Sequence, residues 1–275
     1  MAKIAVLQMT TGIEPVANAD ILDTAIAEAA AGGAEIIFTP EMTGMLDRNR
    51  QRGAAKIRAE DDNIVLARAR AAAAGHGIWV AIGSLAVDTA EQRWANRSFL
   101  IDSAGDIAAR YDKMHMFDVD LANGESWRES NAYRAGDKAV TAATPVGTLG
   151  MTICYDLRFP ALFEALGQRA CDVIAIPAAF TVPTGKAHWH VLQRARAIEA
   201  SAFVVAAAQV GKHEDGRETY GHSLVVDPWG EVLLDMGGES PGLGFCDIDL
   251  GRIAEVRAQV PSLANRRPVA TSPAS

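Results

Sequence analysis

Three ionisable side chains each follow an apolar segment of the sequence. Glu41 follows IIFTP, Lys113 follows IAARYD and Cys154 follows GMTI. Taken singly, a carboxylate or lysine after a strand is most often a solvated turn residue, and a cysteine there is most often part of the core. In α/β sheets, however, sites assemble at the carboxyl ends of strands. Their occurrence together therefore favours a shared chemical role.

A thiol, a carboxylate and an ammonium group in one pocket can carry out acyl transfer. A cysteine near its ordinary pKa of about 8.5 is mostly protonated at neutral pH, so it needs a base or a nearby cation in order to attack. Glu41 can be that base, and Lys113 can stabilise the oxyanion that develops on an attacked carbonyl. The set predicts a thioester at Cys154. A histidine base is a lesser alternative, since His115 or His222 could approach in the fold.

Strands and helices alternate along the chain, which predicts stacked α and β layers. Residues 114–135 interrupt this pattern and are a candidate functional loop. The predicted strands are 3–9, 35–40, 77–87, 137–153, 172–177 and 203–209, with hairpins at 98–111 and 222–235. The predicted helices lie between the first two strands, at 60–74, at 160–168, at 187–200 and near the end of the chain.

Composition excludes several classes of function. The net charge is −8 and the chain has no long basic cluster, so nucleic-acid binding is not expected. No run of about 18 apolar residues and no signal-type leader occur, which predicts a cytoplasmic protein without a membrane partner. No glycine-rich phosphate loop follows a strand, so no nucleotide cofactor is expected. His188 and His190 diverge on a helix, so no metal site is expected.

The three cysteines are an odd number with wide spacing, which fits neither a disulfide framework nor a zinc knuckle. We expect free thiols, with Cys171 and Cys246 as inert core residues. The absence of a linker predicts one domain over residues 1–268, followed by a disordered tail at 269–275.

The motifs TPEM (39–42), YDKMHMFDVD (111–120) and CYDLRFP (154–160) resemble, in order and spacing, those of the nitrilase-type carbon-nitrogen hydrolases with their Glu-Lys-Cys set. The resemblance extends over about residues 3 to 268. Further agreement lies in AHW, RARAIE, AAAQ, YGHS and DPWG. Within the family, the chain is similar to the branch that contains omega-amidase and deaminated glutathione amidase, and VPSLANRRP (260–268) favours the latter.

The resemblance implies a role for each matching residue. Cys154 would be the nucleophile, Glu41 the general base and then the acid, and Lys113 the oxyanion donor. Glu129 in WRES would hold the lysine and orient the amide, and the backbone N–H of Tyr155 would complete the oxyanion hole. The family fold implies a four-layer α-β-β-α sandwich, and its members usually form homodimers through their α layers.

Residues around the motifs have less defined roles. Arg158 could bind a substrate carboxylate or serve structure alone, whereas Asp156 is expected to hold the bend at the nucleophile. Phe180 and Thr181 could line the acyl pocket. His190 departs from the glutamate that many relatives have after AHW.

The sequence therefore predicts an amidase that needs no cofactor and acts on a small molecule. Its expected substrate is deaminated glutathione or a similar α-keto acid amide, with release of ammonia. Omega-amidase activity on α-ketoglutaramate and hydrolysis of N-carbamoyl amino acids are alternatives. A noncatalytic binding or scaffold protein is the alternative from another class.

Overall fold

The computed structural model describes residues 1–89, 91, 93–122, 124 and 126–269. In chain order its strands are β1 (Ala2–Gln8), β2 (Ile36–Phe38), β3 (Trp79–Val87), β4 (Trp94–Ile101), β5 (Ile107–Asp112), β6 (Asp118–Asp120), β7 (Ser126–Arg128), β8 (Tyr133–Arg134), β9 (Val140–Thr144), β10 (Gly147–Met151), β11 (Val173–Ala175), β12 (Phe203–Ala206), β13 (Val210–Lys212), β14 (Glu218–Tyr220), β15 (Leu224–Val226), β16 (Val232–Asp235) and β17 (Gly242–Ile248). The helices are α1 (Pro15–Ala31), α2 (Arg50–Ala54), α3 (Ile64–His76), α4 (Pro160–Gln168), α5 (Val182–Ala200) and α6 (Gly251–Gln259).

Two mixed sheets contain most of the strands. The first has the order β17-β1-β2-β3-β4-β5, with β8 also paired to β4, and the second has the order β16-β15-β12-β11-β10-β9. Strands β1, β2 and β3 run parallel, as do β10, β11 and β12. The carboxyl-terminal β17 pairs antiparallel with β1, so the end of the chain completes the first sheet.

Alternating side chains on the strands build two apolar layers. Ile4 of β1 belongs to a core that also contains Leu149 of the second sheet, so this core lies between the sheets. The neighbouring Ala5 faces the other way and belongs to a second core with Leu22 of α1. Helices α4 and α5 cover the second sheet with apolar residues such as Phe163. The layer order is α-β-β-α, which confirms the predicted fold class.

Two predicted segments differ clearly from the structure. The helix expected at 187–200 begins at Val182, because Pro183 occupies its first turn, where proline costs no hydrogen bond. Part of the expected loop 114–135 forms the short antiparallel pair β6–β7 and the strand β8. Asn123, within this expected loop, lies outside the described residues.

All three cysteines are free thiols, and the structure describes the chain as far as residue 269. Cys171 is buried in the core, and Cys246 of β17 is half-buried and packs against the same core. Residues 270–275 of the expected tail lie outside the described part of the chain. No helix in the described ranges is long and apolar enough to cross a membrane.

Candidate active site

The two sheets each contribute side chains to one buried cluster. Glu41 follows β2 and Lys113 directly follows β5, both in the first sheet, whereas Cys154 lies three residues after β10 of the second sheet. These three residues are 2–6% exposed. The predicted convergence of strand ends therefore occurs across the space between the sheets.

Lys113 is the centre of the cluster. Its Nζ lies 2.9 Å from Glu41 Oε1 and 2.9 Å from Glu129 Oε2. The Cys154 thiol lies close enough to the Glu41 carboxylate for each group to shift the pKa of the other. Glu129 also accepts a hydrogen bond of 2.7 Å from the N–H of Phe117, which holds this carboxylate against the lysine.

Two further donors fix the carboxylates. Asn96 Nδ2 donates to Glu41 Oε1 at 2.9 Å and to Glu129 Oε1 at 3.0 Å. The N–H of Ala179 donates to the other oxygen of Glu41 at 3.0 Å. Because a buried carboxylate needs such donors to remain ionised, these contacts favour the charged form of Glu41.

Cys154 has an uncommon backbone conformation. Its φ is +48°, in the left-handed region that a residue with a side chain rarely adopts. Its N–H donates to Pro177 O at 2.8 Å, and a 3-10 helix begins at the same residue. Such strain is maintained only where surrounding contacts enforce it, and it turns the thiol toward Glu41.

The Asp156 carboxylate holds this bend through hydrogen bonds. Its Oδ2 accepts from Ile153 N at 2.9 Å and from the hydroxyl of Tyr111 at 2.6 Å. Its Oδ1 accepts from the backbone N–H of His115 at 3.0 Å and lies 2.7 Å from His115 Nδ1. One buried carboxylate thus connects the segment that carries Lys113 to the turn that carries Cys154, and it does not pair with Arg158.

Burial and charge set the protonation states of the cluster. Burial would raise the pKa of Glu41, but the positive charge and hydrogen bond of Lys113 outweigh it and lower this pKa below its ordinary value. Burial and the adjacent Glu41 charge raise the pKa of the Cys154 thiol well above the usual range. Burial would lower the pKa of Lys113, yet the charges of Glu129 and Glu41 raise it. These directions favour a neutral Cys154 thiol, an ionised Glu41 and a charged Lys113 in the resting cluster.

A cavity of about 700 Å³ opens above this cluster. Its floor contains Cys154, Glu41 and Lys113. Aromatic walls and a rim with several arginines surround it, and these residues are Trp94, Phe117, Trp127, Tyr133, Tyr155, Phe180, Arg48, Arg50, Arg128 and Arg217. The volume suits a small molecule of drug-like size.

Arg48 and Arg50 are the rim cations available to an anionic ligand. Among the residues that the structure describes, neither forms an ion pair with a carboxylate side chain, whereas Arg128 pairs with Asp120 and Arg217 with Asp215. The Arg48 guanidinium lies over the Trp127 ring at 5.7 Å.

Two of the three residues predicted to bind substrate line the cavity, and the third, Arg158, is not among the described lining residues. Phe180 and Thr181 line the cavity. Arg158 is not among the described residues that line it; its guanidinium lies over the rings of Tyr155 and Phe180 and 3.4 Å from His188 Nδ1. This placement favours the structural alternative for Arg158.

The histidines considered as bases have other partners. His115 bonds to Asp156, and His222 Nδ1 lies 2.9 Å from Asp235 Oδ1. Neither residue is among the described residues of the cavity lining. Glu41 is therefore the side chain placed to act as the base.

Sequence reasoning missed Asn96 and the rim arginines. Asn96 lies inside strand β4, where an asparagine among apolar residues is uncommon, so its position was a usable signal. The arginines come from segments far apart in sequence and carried no such signal.

Within the described residues, one group of side chains has the spacing of metal ligands. It consists of His190, His222 and Asp235, and none of the three lines the cavity. The cavity itself offers a nucleophile, a base and an oxyanion donor, which together suit acyl transfer through a thioester.

Comparisons with known proteins agree with this chemistry. Residues 3–258 match the family model described as carbon-nitrogen hydrolase. The deaminated glutathione amidase of Yersinia enterocolitica is 38% identical to the chain over 272 residues, which cover 97% of this chain and 93% of that protein.

Two solved structures are similar in fold. The NitFhit protein of Caenorhabditis elegans superposes with a TM-score of 0.89 at 35% identity, covering 97% of this chain and 66% of that longer one. An amidase from Nesterenkonia sp. AN1 superposes with a TM-score of 0.80 at 26% identity, covering 95% of this chain and 98% of that one. That amidase was solved as a mutant after Michael addition of acrylamide to its active-site cysteine.

Proposed function

The chain belongs to the carbon-nitrogen hydrolase family and hydrolyses amides, and from that premise we propose that Cys154 attacks a carboxylate-bearing amide, with deaminated glutathione as the leading substrate. The observation that carries the proposal is the contact of the Cys154 thiol, the Glu41 carboxylate and the Lys113 ammonium on the floor of one cavity.

The first half of the reaction forms a thioester. Glu41 takes the thiol proton while the sulfur of Cys154 bonds to the carbonyl carbon. The Lys113 ammonium and the N–H of Tyr155 stabilise the oxyanion. Glu41 then delivers its proton to the amide nitrogen, the C–N bond breaks, and the amine leaves.

The second half hydrolyses the thioester. Glu41 takes a proton from water, the hydroxide oxygen bonds to the acyl carbon, and the C–S bond breaks. The thiol of Cys154 regains the proton and the acid leaves. Each cycle consumes one water and yields one acid and one amine, with the enzyme unchanged.

The substrate determines the amine that is released. The amides of glutathione are peptide amides, so hydrolysis of one of them in the deaminated compound releases an amine fragment. Release of ammonia, as expected from the sequence, applies to a primary amide such as α-ketoglutaramate. An assay must therefore detect the acid or the amine fragment as well as ammonia.

Glu129 and Asn96 support the reacting groups. Glu129 contacts Lys113 Nζ at 2.9 Å and thereby keeps the ammonium in place on the cavity floor. Asn96 bridges both carboxylates and stabilises Glu41 in the ionised form that accepts a proton.

The rim of the cavity supports an acidic substrate. Arg48 and Arg50 line the cavity without a carboxylate partner among the described residues, so a substrate carboxylate can bind them with charge-assisted hydrogen bonds. The relatives named deaminated glutathione amidase favour that substrate over α-ketoglutaramate and N-carbamoyl amino acids.

We further propose a single domain, a homodimer and a cytoplasmic location. The first core lies between the two sheets and the second core packs α1 and α3 on the first of these sheets, which supports one domain. An exposed apolar surface on α5 and the β15–β16 turn supports association. The free thiols Cys154, Cys171 and Cys246 suit a reducing compartment.

The test compares the wild-type protein with Cys154→Ala on deaminated glutathione, α-ketoglutaramate and an N-carbamoyl amino acid. Acid and amine products are quantified, and thermal denaturation checks folding. We expect wild-type turnover of the first substrate and a loss of about 10³-fold or more in Cys154→Ala. Cys246→Ala is the matched control, because it removes a half-buried thiol outside the cavity and should keep activity.

If the wild-type protein prefers another of these amides, the assigned substrate changes, but Cys154 remains the proposed nucleophile. If folded wild-type protein hydrolyses none of the three, or if Cys154→Ala retains full turnover, the proposal is wrong. The scaffold alternative predicts the first of these results.

A further inference from the structure

Three polar side chains converge on the outer side of the second sheet. His190 comes from α5, Asp235 ends β16, and His222 lies between β14 and β15. His190 Nε2 lies 3.0 Å from Asp235 Oδ2, and His222 Nδ1 lies 2.9 Å from Asp235 Oδ1. All the facing ligand atoms lie within 4.8 Å of one another.

His222 is held rigidly in this cluster. Its φ is +54°, its N–H donates to Gly237 O at 2.8 Å, and its carbonyl accepts from Trp189 Nε1 at 2.8 Å. Its ring stacks on Tyr220 with centroids 4.5 Å apart. A strained backbone fixed from both sides is typical of a residue whose side chain has a defined task.

Asp235 is oriented by the same loop. Its Oδ1 accepts a hydrogen bond of 2.9 Å from the N–H of Gly237. Its two oxygens also face the imidazoles of His190 and His222, so all three partners fix the orientation of the carboxylate. The three side chains are 25–35% exposed, which leaves an open path from solvent.

The ligand set matches a transition-metal ion. Two imidazole nitrogens and one carboxylate oxygen form a common zinc site with an open position for water. For bonds of about 2.0–2.1 Å in tetrahedral geometry, neighbouring ligand atoms are about 3.3 Å apart. The observed separations of 2.9 and 3.0 Å need only a slight opening.

We propose that His190, His222 and Asp235 bind one divalent transition-metal ion of the zinc type. Metal–nitrogen bonds replace the two hydrogen bonds to the carboxylate. The proton on each facing nitrogen is released to solvent or moves to the other ring nitrogen, so that both ligands are neutral imidazoles. The ion joins α5 to the β14–β16 region. It serves structure rather than the reaction, since none of its ligands lines the cavity.

The site connects to the cavity wall through Tyr220. The Tyr220 N–H donates to Phe180 O at 2.9 Å, and Phe180 lines the cavity. The Tyr220 ring also packs on Gly185 of α5, where an added Cβ would lie 2.2 Å from it. A bound ion therefore braces the wall formed by α5 and β14.

The experiment measures metal binding by the untagged full-length protein in a Cys154→Ala background, which removes the active-site thiol as a competing ligand. After chelation and dialysis, Co²⁺ is titrated while its visible d–d absorption is recorded, and Zn²⁺ is then added to displace it. We expect one Co²⁺ per chain, replaced by one Zn²⁺. Saturating zinc should raise the thermal midpoint.

Variants assign the ligands. His190→Gln and His222→Asn should each weaken cobalt binding at least tenfold and abolish the thermal shift; asparagine is chosen at position 222 because it tolerates a positive φ. His188→Gln on the same helix is the matched control and should bind as the background protein does. Circular dichroism of the metal-free proteins checks folding.

Two results would overturn the proposal. One is no binding of either ion by folded protein at concentrations up to about 1 mM. The other is unchanged binding in His190→Gln. Either would assign the cluster as an ion-free His–Asp–His hydrogen-bonded unit, and neither affects the assignment of Cys154.

Discussion

Two carboxylates share one ammonium group in the site, and burial together with the adjacent Glu41 charge keeps the Cys154 thiol protonated at rest. Glu41 and Glu129 both contact Lys113 Nζ, so a thiolate would add a third negative charge to a buried cluster. Deprotonation must therefore accompany the attack on substrate. Glu41 must be ionised beforehand in order to accept that proton.

The acid limit of activity tests this protonation scheme. Lys113, Cys154 and Asn96 together lower the pKa of Glu41 against the effect of burial. We expect kcat/KM of the wild type to fall only below about pH 4.5, the ordinary value for a glutamate. The folded pKa lies below the unfolded one, so the stabilisation from this group is present above the unfolded value and is lost as pH falls through the folded value.

Asn96→Ala removes one of these donors. The acid limb of kcat/KM should move to higher pH, and kcat at neutral pH should fall about tenfold, because a hydrogen bond to a charged group contributes about 1.5 kcal/mol or more. The measurement is a pH–rate profile of both proteins. A variant that is slower by the same factor at every pH would show that Asn96 does not tune Glu41.

Substitution of Arg48 tests whether this residue binds the carboxylate of an acidic substrate. Arg48→Gln should raise KM for a carboxylate-bearing amide about 10- to 100-fold with little change in kcat, because the lost contact binds the substrate far from the reacting carbon. Steady-state kinetics measure this. Hydrolysis of an uncharged primary amide should be unaffected.

The control for this prediction is Arg70→Gln. Arg70 pairs with Asp106 and is not among the described residues of the cavity lining. Equal effects of both substitutions would indicate a loss of general electrostatic attraction and would contradict a specific role for Arg48.

Residue types and motifs singled out side chains that the structure places together at the cavity, but they did not indicate most of the contacts that hold these side chains. Glu41, Lys113 and Cys154 stood out because ionisable residues follow apolar strands, and Glu129 came from the resemblance. Asn96 and Asp156 act through contacts with residues 33 to 55 positions away, and one sequence contains no signal for such pairings. The placement of Arg158 outside the cavity lining depended on side-chain packing in the same way.

Among the elements, β3 lies unusually close to the segment that leads into Glu41. A Cβ at Gly83 would lie 2.1 Å from Thr39 O, 2.4 Å from Pro40 O and 2.5 Å from Pro177 Cβ. Thr39 and Pro40 lead into Glu41, and Pro177 accepts the hydrogen bond from Cys154. The missing side chain thus allows both sheets to converge beneath the site.

Gly83→Ala should therefore disturb both stability and activity. The clash involves backbone atoms that cannot move alone, so we expect a loss of about 2–4 kcal/mol in the free energy of unfolding. Activity of the folded fraction should also fall, since Glu41 is displaced. Urea denaturation and kinetics on the same sample measure the two effects.

Gly75→Ala is the matched control. Gly75 lies in α3 with no atom within 4 Å of an added Cβ, and alanine there should stabilise the protein by about 0.5–1 kcal/mol. If Gly83→Ala is equally harmless, the close approach is not required for the site.

Element type was predictable from periodicity, whereas element boundaries were not. The hairpins at β4–β5 and β15–β16 were predicted correctly, because turn residues separate two apolar runs. The predicted start of α5 was wrong by five residues, since a proline such as Pro183 can either interrupt a helix or occupy its first turn. The short pair β6–β7 has only three residues per strand, too few for periodicity to show.

At the scale of the whole molecule, one exposed apolar surface remains on the α5 side. Val191 and Ile198 are seven residues apart and share a face of α5, with exposures of 68% and 50%. Ile198 contacts the turn at Gly230, next to the exposed Trp229. A contiguous surface of this kind favours association between copies.

The double substitution Val191→Glu and Ile198→Glu should convert a dimer into a monomer. Buried carboxylates without partners cost far more than the apolar contacts they replace, so dissociation should be complete at micromolar concentration. Sedimentation velocity measures the result. Ile64→Glu, at an equally exposed site on α3, should stay dimeric, and a monomeric wild type would contradict the proposed association.

The layer order followed from alternating strands and helices together with the resemblance, but the pairing of strands did not. Nothing in the sequence of β17 indicates that it adds to β1, more than 230 residues earlier in the chain. Pairing over such a distance depends on the complete core, which forms only when both sheets are present.

The chain passes from the first sheet to the second between β8 and β9, at residues 135–139. Everything before this crossing carries Glu41 and Lys113, and everything after it carries Cys154. The active site is thus an internal contact between two halves of one polypeptide. Cutting the chain there would yield two catalytically silent fragments, with β17 of the second available to pair with β1 of the first. Enzymatic turnover would then report that the fragments had met, so the fold contains the elements of a split reporter.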